Sequence, residues 1–249
     1  MLIIMGALKE EIKDLLSPMV LDETSSWKGC HFYRGSYKNK GVVLVQTGIG
    51  KNQAEEATRF VLDHYPVTAL ISLGFAGALT ENLKIGDIVV CVTLCCAGEH
   101  EAIPPSKSKY YNSDASLISL AERNVQSKTT SFHQGSSVTV AKPASTQEAK
   151  QTLAKTFSAD VVEMENYWIA QIASARQIPF IAIRAISDTL QDSLPIDFID
   201  SHGDIQWKLA IPRLAAHPQN ILKLFNLFRN AGQARKNMTI FIDRFIDNL

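Results

Sequence analysis

Short β-branched apolar runs alternate along the chain with longer segments whose apolar residues recur at three and four spacing. Leu2–Met5, Val42–Gln46, Leu70–Leu73, Ile88–Thr93, Val138–Val140, Val161–Met164 and Phe180–Ile186 predict strands. Lys9–Leu16, Asn52–His64, Asp114–Val125, Ser145–Phe157 and Asn166–Arg176 predict helices. In Ser145-Thr146-Gln147-Glu148 the serine and glutamate form a capping box, each satisfying a backbone donor, which marks where the fourth helix starts. This alternation predicts an α/β fold. His31–Tyr37 and Val42–Gln46 flank the polar Lys38-Asn39-Lys40-Gly41, so an antiparallel hairpin interrupts the parallel pattern and makes the sheet mixed. Gly98–Ser113, with Pro104-Pro105 inside it, breaks every period and reads as a long loop of the kind that borders active sites.

Composition narrows the class. With 46% hydrophobic and 20% charged residues the 249-residue chain is neither disordered nor collagen-like, and its length suits one α/β domain. Lys plus Arg equals Asp plus Glu at 25 each, so no overall field favours nucleic acid. The balance hides a basic tail: from Arg213 onward six Lys or Arg face only Asp243 and Asp247, whereas the preceding part has 19 against 23. Within that tail Ile221, Leu222, Leu224, Phe225 and Phe228 recur at helical spacing. Two readings stand, a helix packed on the body or across a dimer interface, and a basic amphipathic helix on an anionic membrane surface.

No apolar run approaches the roughly 20 residues that span a bilayer. Met1–Gly6 carries no basic leader and meets acid by Glu10, so neither a signal peptide nor a transit peptide is expected. Cys91, Cys95 and Cys96 share one apolar run and Cys30 stands apart, so reduced, packing thiols are expected rather than a disulfide framework, and with them a cytoplasmic protein. A zinc reading of the three with His100 lacks the paired CxxC spacing, and no metal is expected.

Polar residues gather where strands end, the place where open α/β sheets bind ligands. The segments are Gly6–Glu11, Val162–Asn166 and Arg184–Asp188, and each joins an apolar strand to carboxylates that burial in a cleft would tune toward acid–base work. Singly, each has a structural explanation: Glu10 and Glu11 as first-turn acids, Glu163 as a paired surface charge, Asp188 as a helix cap. Thr47-Gly48-Ile49-Gly50 and Gly74-Phe75-Ala76-Gly77 read as tight turns that let a ligand approach the backbone. Neither matches GxGxxG or a P-loop, so neither dinucleotide nor NTP binding is supported.

Together GALKEEI, QTGIGKNQA, SLGFAGAL, LKIGDIVV, VVEMEN and IRAISD, in this order over residues 1–200, resemble the nucleoside phosphorylase and nucleosidase superfamily. Within it they are similar to the methylthioadenosine/S-adenosylhomocysteine nucleosidases, and SLGFAGAL, SDTLQDSLP and the basic tail look like the hopanoid-associated branch, which acts on adenosylhopane. The resemblance implies a three-layer α/β/α domain with a mixed, partly barrel-like sheet, spanning residues 1–212, with 213–249 as its helical extension. It also implies a homodimer that needs no cofactor and cleaves a purine N-glycosidic bond.

Residue by residue, the resemblance makes Asp188 the acid at purine N7, oriented by Ser187. Glu165 would hold the ribose hydroxyls with Met164 against the sugar and Glu163 in support. Glu11 would position and deprotonate the attacking water, Arg184 would help to hold that water or the neighbouring carboxylates, and Leu8, Ile49 and Phe198 would surround the 5′ substituent. Phe75 stands where the family carries a small hydroxyl residue, which removes one contact to that water and reshapes the pocket. Val140-Ala141-Lys142-Pro143 occupies the stretch of the base-stacking aromatic. Phosphate requires fixed donors, and the N-terminal loop instead offers Glu11, so hydrolysis is expected, with phosphorolysis and a silent nucleoside-binding protein as alternatives.

Overall fold

In the computed structural model, residues 1–98, 108–124, 131–194 and 219–249 are described, with side chains from Phe225 onward in the last segment. The strands are β1 (Leu2–Gly6), β2 (Val20–Trp27), β3 (Cys30–Tyr37), β4 (Lys40–Gln46), β5 (Ala69–Ala78), β6 (Ile88–Cys96), β7 (Tyr111–Asn112), β8 (Phe132–Thr139), β9 (Val161–Glu163) and β10 (Phe180–Asp188). The helices are α1 (Lys9–Leu16), α2 (Lys51–His64), α3 (Ala115–Arg123), α4 (Gln147–Phe157), α5 (Asn166–Ala175) and α6 (Gln219–Asp247).

One mixed sheet carries the fold. Its order is β10-β6-β8-β9-β5-β1-β4-β3-β2, and a further β10–β5 pairing closes β5, β9, β8, β6 and β10 into a ring. β1, β4, β3 and β2 extend in that order from β5 as an open wing, and the short β7 pairs with β6 of the ring. Alternate residues of each buried strand face opposite sides: Ile3 and Met5 pack with α2 and α5, whereas Leu2 and Ile4 pack with α1, α3 and α6. Both faces are covered, which makes three layers and explains the continuous apolar runs.

Two tight hairpins build the wing. Lys38 and Asn39, both at positive φ, join β3 to β4, and Lys28 and Gly29, again both positive, join β2 to β3. β2 escaped the sequence pattern because almost every residue in it is exposed, leaving no alternation to read. The expected capping box does not form: Thr146, not Ser145, caps α4, its hydroxyl accepting the Ala149 N–H at 3.2 Å, and Ala149 has no side-chain acceptor with which to return a bond to the cap. Of the expected loop Gly98–Ser113, residues 99–107, with His100, lie outside the described residues, and Tyr111–Asn112 pairs with β6.

The C-terminal helix packs through Ala234, Met238, Phe241, Ile242, Phe245 and Ile246. Tyr37 donates to Asp243 at 2.7 Å, Lys38 reaches Asp243 and Asp247 at 2.7 Å, and Arg235 pairs with Asp14 at 2.8 Å. No helix among the described residues is long and apolar enough to cross a membrane.

Candidate active site

The glycine segment Gly74–Gly77 is strand, not turn: β5 runs through it to Ala78. Its glycines answer to side chains on other elements. A Cβ on Gly74 would stand 2.7 Å from Glu11 Oε1, and one on Gly77 would stand 2.7 Å from Asp188 Oδ2. Each glycine makes room for one carboxylate.

Glu11 lies in the first turn of α1. Its Oε2 accepts the Leu8 N–H and its Oε1 the Phe75 N–H, both at 2.8 Å, so it links the helix start to β5. Burial raises its carboxyl above the ordinary range, opposed by the Leu8 hydrogen bond and by the Arg184 charge. Glu165 caps α5 and accepts the Gly50 N–H at 2.8 Å, where the glycine, at φ 90°, opens α2. Burial, with Glu163 beside it, pushes the Glu165 carboxyl up to about 8.

Glu163 holds the start of α5, accepting the N–H groups of Glu165 and Asn166 at 2.8 and 2.6 Å and the Thr139 hydroxyl. Arg184, 2% exposed, reaches Glu163 at 3.3 Å, the Ser72 hydroxyl at 3.1 Å and the Ile183 carbonyl at 3.1 Å. It backs the carboxylates from behind the cavity wall. Asp188 ends β10, where a register shift between Ile186 and Asp188 leaves Ser187 as an extra residue that re-aims the chain. The Ser187 hydroxyl donates to Asp188 Oδ1 at 2.7 Å.

These groups meet at one cavity of about 170 Å³. Glu11, Glu163, Glu165, Ser187 and Asp188 supply its polar wall, and Leu8, Ile49, Phe75, Met164, Val140 and Pro143 much of the apolar one. Of the expected site residues, Arg184 lies behind this wall and Phe198 lies outside the described residues. Pattern reading missed Lys150, fully buried on α4 and 2.5 Å from Asp188 Oδ2. A signal existed, since Lys150 falls in register with Leu153, Ala154 and Phe157 on the helix's apolar stripe.

No group of three or more His, Cys, Asp or Glu among the described residues could hold a metal ion. Burial pushes the Cys91 and Cys95 thiols up to about 12, which suits packing groups rather than thiolate ligands.

Residues 1–222 match the model of the Phosphorylase superfamily, and the protein is a member of it. The 5′-methylthioadenosine/S-adenosylhomocysteine nucleosidase of Listeria welshimeri is 32% identical over 210 residues, covering 78% of this chain and 89% of the relative. At that likeness the chain belongs to the nucleosidase family within the superfamily, and it is an N-glycosidase. The Neisseria meningitidis nucleosidase in complex with methylthio-immucillin-A superposes with a TM-score of 0.79 at 23% identity, covering 100% of this chain and 99% of the other. Futalosine hydrolase of Helicobacter pylori gives 0.77 at 23% identity, with 100% and 97% covered. These two structures establish the fold.

Proposed function

We propose that the protein hydrolyses the N-glycosidic bond of a 5′-substituted adenosine and releases adenine. One observation carries the reading: Glu11, Glu165 and Asp188, three buried carboxylates from three different elements, face a single largely apolar cavity. The bond breaks through a sugar that gains oxocarbenium character while the base takes the electron pair. Asp188, oriented by Ser187, gives a proton to N7, so adenine leaves neutral. Glu165 receives the ribose hydroxyls with Met164 against the sugar and Glu163 in support, and in ionised form its charge favours the cationic carbon. Glu11, raised toward the working pH, takes a proton from the attacking water, and Arg184 holds the surrounding carboxylates.

Water suits this site better than phosphate. Arg184 is already committed to Glu163, Ser72 and a carbonyl, and the carboxylates that line the cavity would repel an anion. Leu8, Ile49, Phe75 and Phe198 are assigned to the 5′ substituent. The likeness of SLGFAGAL, SDTLQDSLP and the tail to the hopanoid-associated branch supports a bulky apolar group there. A cytoplasmic homodimer, with α6 touching a membrane surface, completes the proposal. Phe225 and Phe228, 65% and 52% exposed beside the exposed Arg229, support that contact.

The test compares wild type with Asp188→Asn on adenosine, methylthioadenosine, S-adenosylhomocysteine and a 5′-alkyl adenosine, reading free adenine by chromatography. Wild type should release adenine from at least one 5′-substituted substrate and the variant should not. Tight binding without release by wild type would make this a nucleoside-binding protein, and an active Asp188→Asn would remove Asp188 from its role.

A further inference from the structure

Lys150 stands in the first turn of α4, on its apolar stripe, with no exposed surface. An ammonium in such a place is costly unless every donor is met. Its three donors find three acceptors: Asp188 Oδ2 at 2.5 Å, the Thr189 carbonyl at 2.6 Å and the Asp192 carbonyl at 3.1 Å. The Asp192 carboxylate in turn accepts the Thr189 N–H and hydroxyl, both at 2.8 Å, and the Leu194 N–H donates to the Ser145 carbonyl at 2.9 Å. One side chain therefore ties the carboxyl of Asp188 and the turn that follows it to the start of α4.

We propose that Lys150 is a positioning residue for base departure, fixing which oxygen of Asp188 carries the proton and compensating the carboxylate that remains. The inference rests on Asp188 acting as the acid. In the reaction the Asp188 proton passes to purine N7 and the C1′–N9 electron pair goes to the base. The oxygen of water bonds to C1′, and its proton goes to Glu11. Asp188 is left as a buried carboxylate with the Lys150 ammonium on Oδ2, a charge-assisted contact that favours the product side of the proton transfer. An ammonium offers only protons, so Oδ2 cannot carry the transferable proton while the pair holds. That proton is confined to Oδ1, the oxygen that Ser187 meets. Gly77 keeps the same Oδ2 accessible, since a Cβ there would overlap it.

Lys150→Met removes the charge at similar length. Turnover should be measured on a 5′-substituted adenosine and on a 4-nitrophenyl riboside with the same 5′ group, whose leaving group departs without protonation. The expected result is a kcat loss of about 10²-fold on the adenosine, with KM and nitrophenyl turnover changed by less than about threefold. Ethylammonium should restore part of the loss in Lys150→Ala. Equal losses on both substrates would reduce Lys150 to a structural anchor, and unchanged adenosine turnover would remove it from the reaction; either overturns the proposal. If Lys150→Met does not fold, Lys150→Gln, which keeps an amide donor for the Thr189 carbonyl, carries the same expectations. An Asp188→Asn variant that still releases adenine would instead refute the acid assignment. An inactive Asp188→Asn beside a fully active Lys150→Met would refute the Lys150 role alone.

Discussion

Gly74→Ala adds one methyl group in contact with Glu11. Gly74 lies in β5 opposite Arg184, and its φ lies outside the positive region, so the backbone itself accepts alanine. The new Cβ would stand 2.7 Å from Glu11 Oε1, and ordinary contact begins at 3.4 Å, so the carboxylate must retreat by about 0.7 Å. Both Glu11 oxygens are held at 2.8 Å by backbone N–H groups, and retreat strains the Phe75 bond first. Weakening a hydrogen bond to a charged group costs about 1.5–3 kcal/mol, offset by about 0.4–1 kcal/mol from the stiffer unfolded chain. At about 2–4 °C per kcal/mol for a chain of this size, the melting temperature should fall by less than roughly 10 °C. Activity should suffer more, because misplacing a reacting group by about 1 Å can cost about 10²-fold. Adenine release at saturating substrate should therefore drop by about 10- to 100-fold in a variant that is still folded at 25 °C. Wild-type kcat in that variant would refute the role given to Glu11.

Asp188→Asn should lose about 10²- to 10⁴-fold in turnover and about 3 kcal/mol or more in stability, because Lys150 stays buried without its counter-charge; steady-state rates and urea unfolding check both. Glu165, with its folded value of about 8 above the ordinary 4.5, keeps its proton in the folded protein where the unfolded chain has lost it. Its contribution to stability therefore falls as pH rises from about 4.5 to about 8, by at most about 1.4 kcal/mol per pH unit. Urea midpoints at pH 6 and pH 8 should show a smaller difference in Glu165→Gln, and equal differences in both proteins would contradict this. Phe245→Ala, at a fully buried position on α6, should cost about 3–5 kcal/mol by urea unfolding; a cost below about 1 kcal/mol would mean the helix does not pack as described.

Strands buried on both faces were legible because their apolar runs are continuous: Leu2–Met5 and Val42–Gln46 stand out from the sequence and lie side by side in the sheet. β2 was not, since its exposed residues leave no period, and its remaining signal is the turn at Lys28-Gly29. Gly74 and Gly77 suggested a turn because glycine ordinarily breaks a strand. Their actual cause is tertiary, the carboxylates of Glu11 and Asp188 arriving from α1 and β10, and no local window contains it. Motif likeness was enough to bring Glu11, Glu163, Glu165, Ser187 and Asp188 to one cavity from segments far apart in the chain. Lys150 lay outside every motif, and a charge on an apolar helical stripe was its only mark.

In the proposed reaction water, activated at Glu11, replaces adenine on a ribose held by Glu165. Its most direct test is adenine release from a 5′-substituted adenosine by pure protein in phosphate-free buffer and again with added phosphate, with the sugar product identified by mass. Equal rates are expected in both, with adenine and the free 5′-substituted ribose formed one to one. A rate that depends on phosphate, with the sugar recovered as its 1-phosphate, would contradict it.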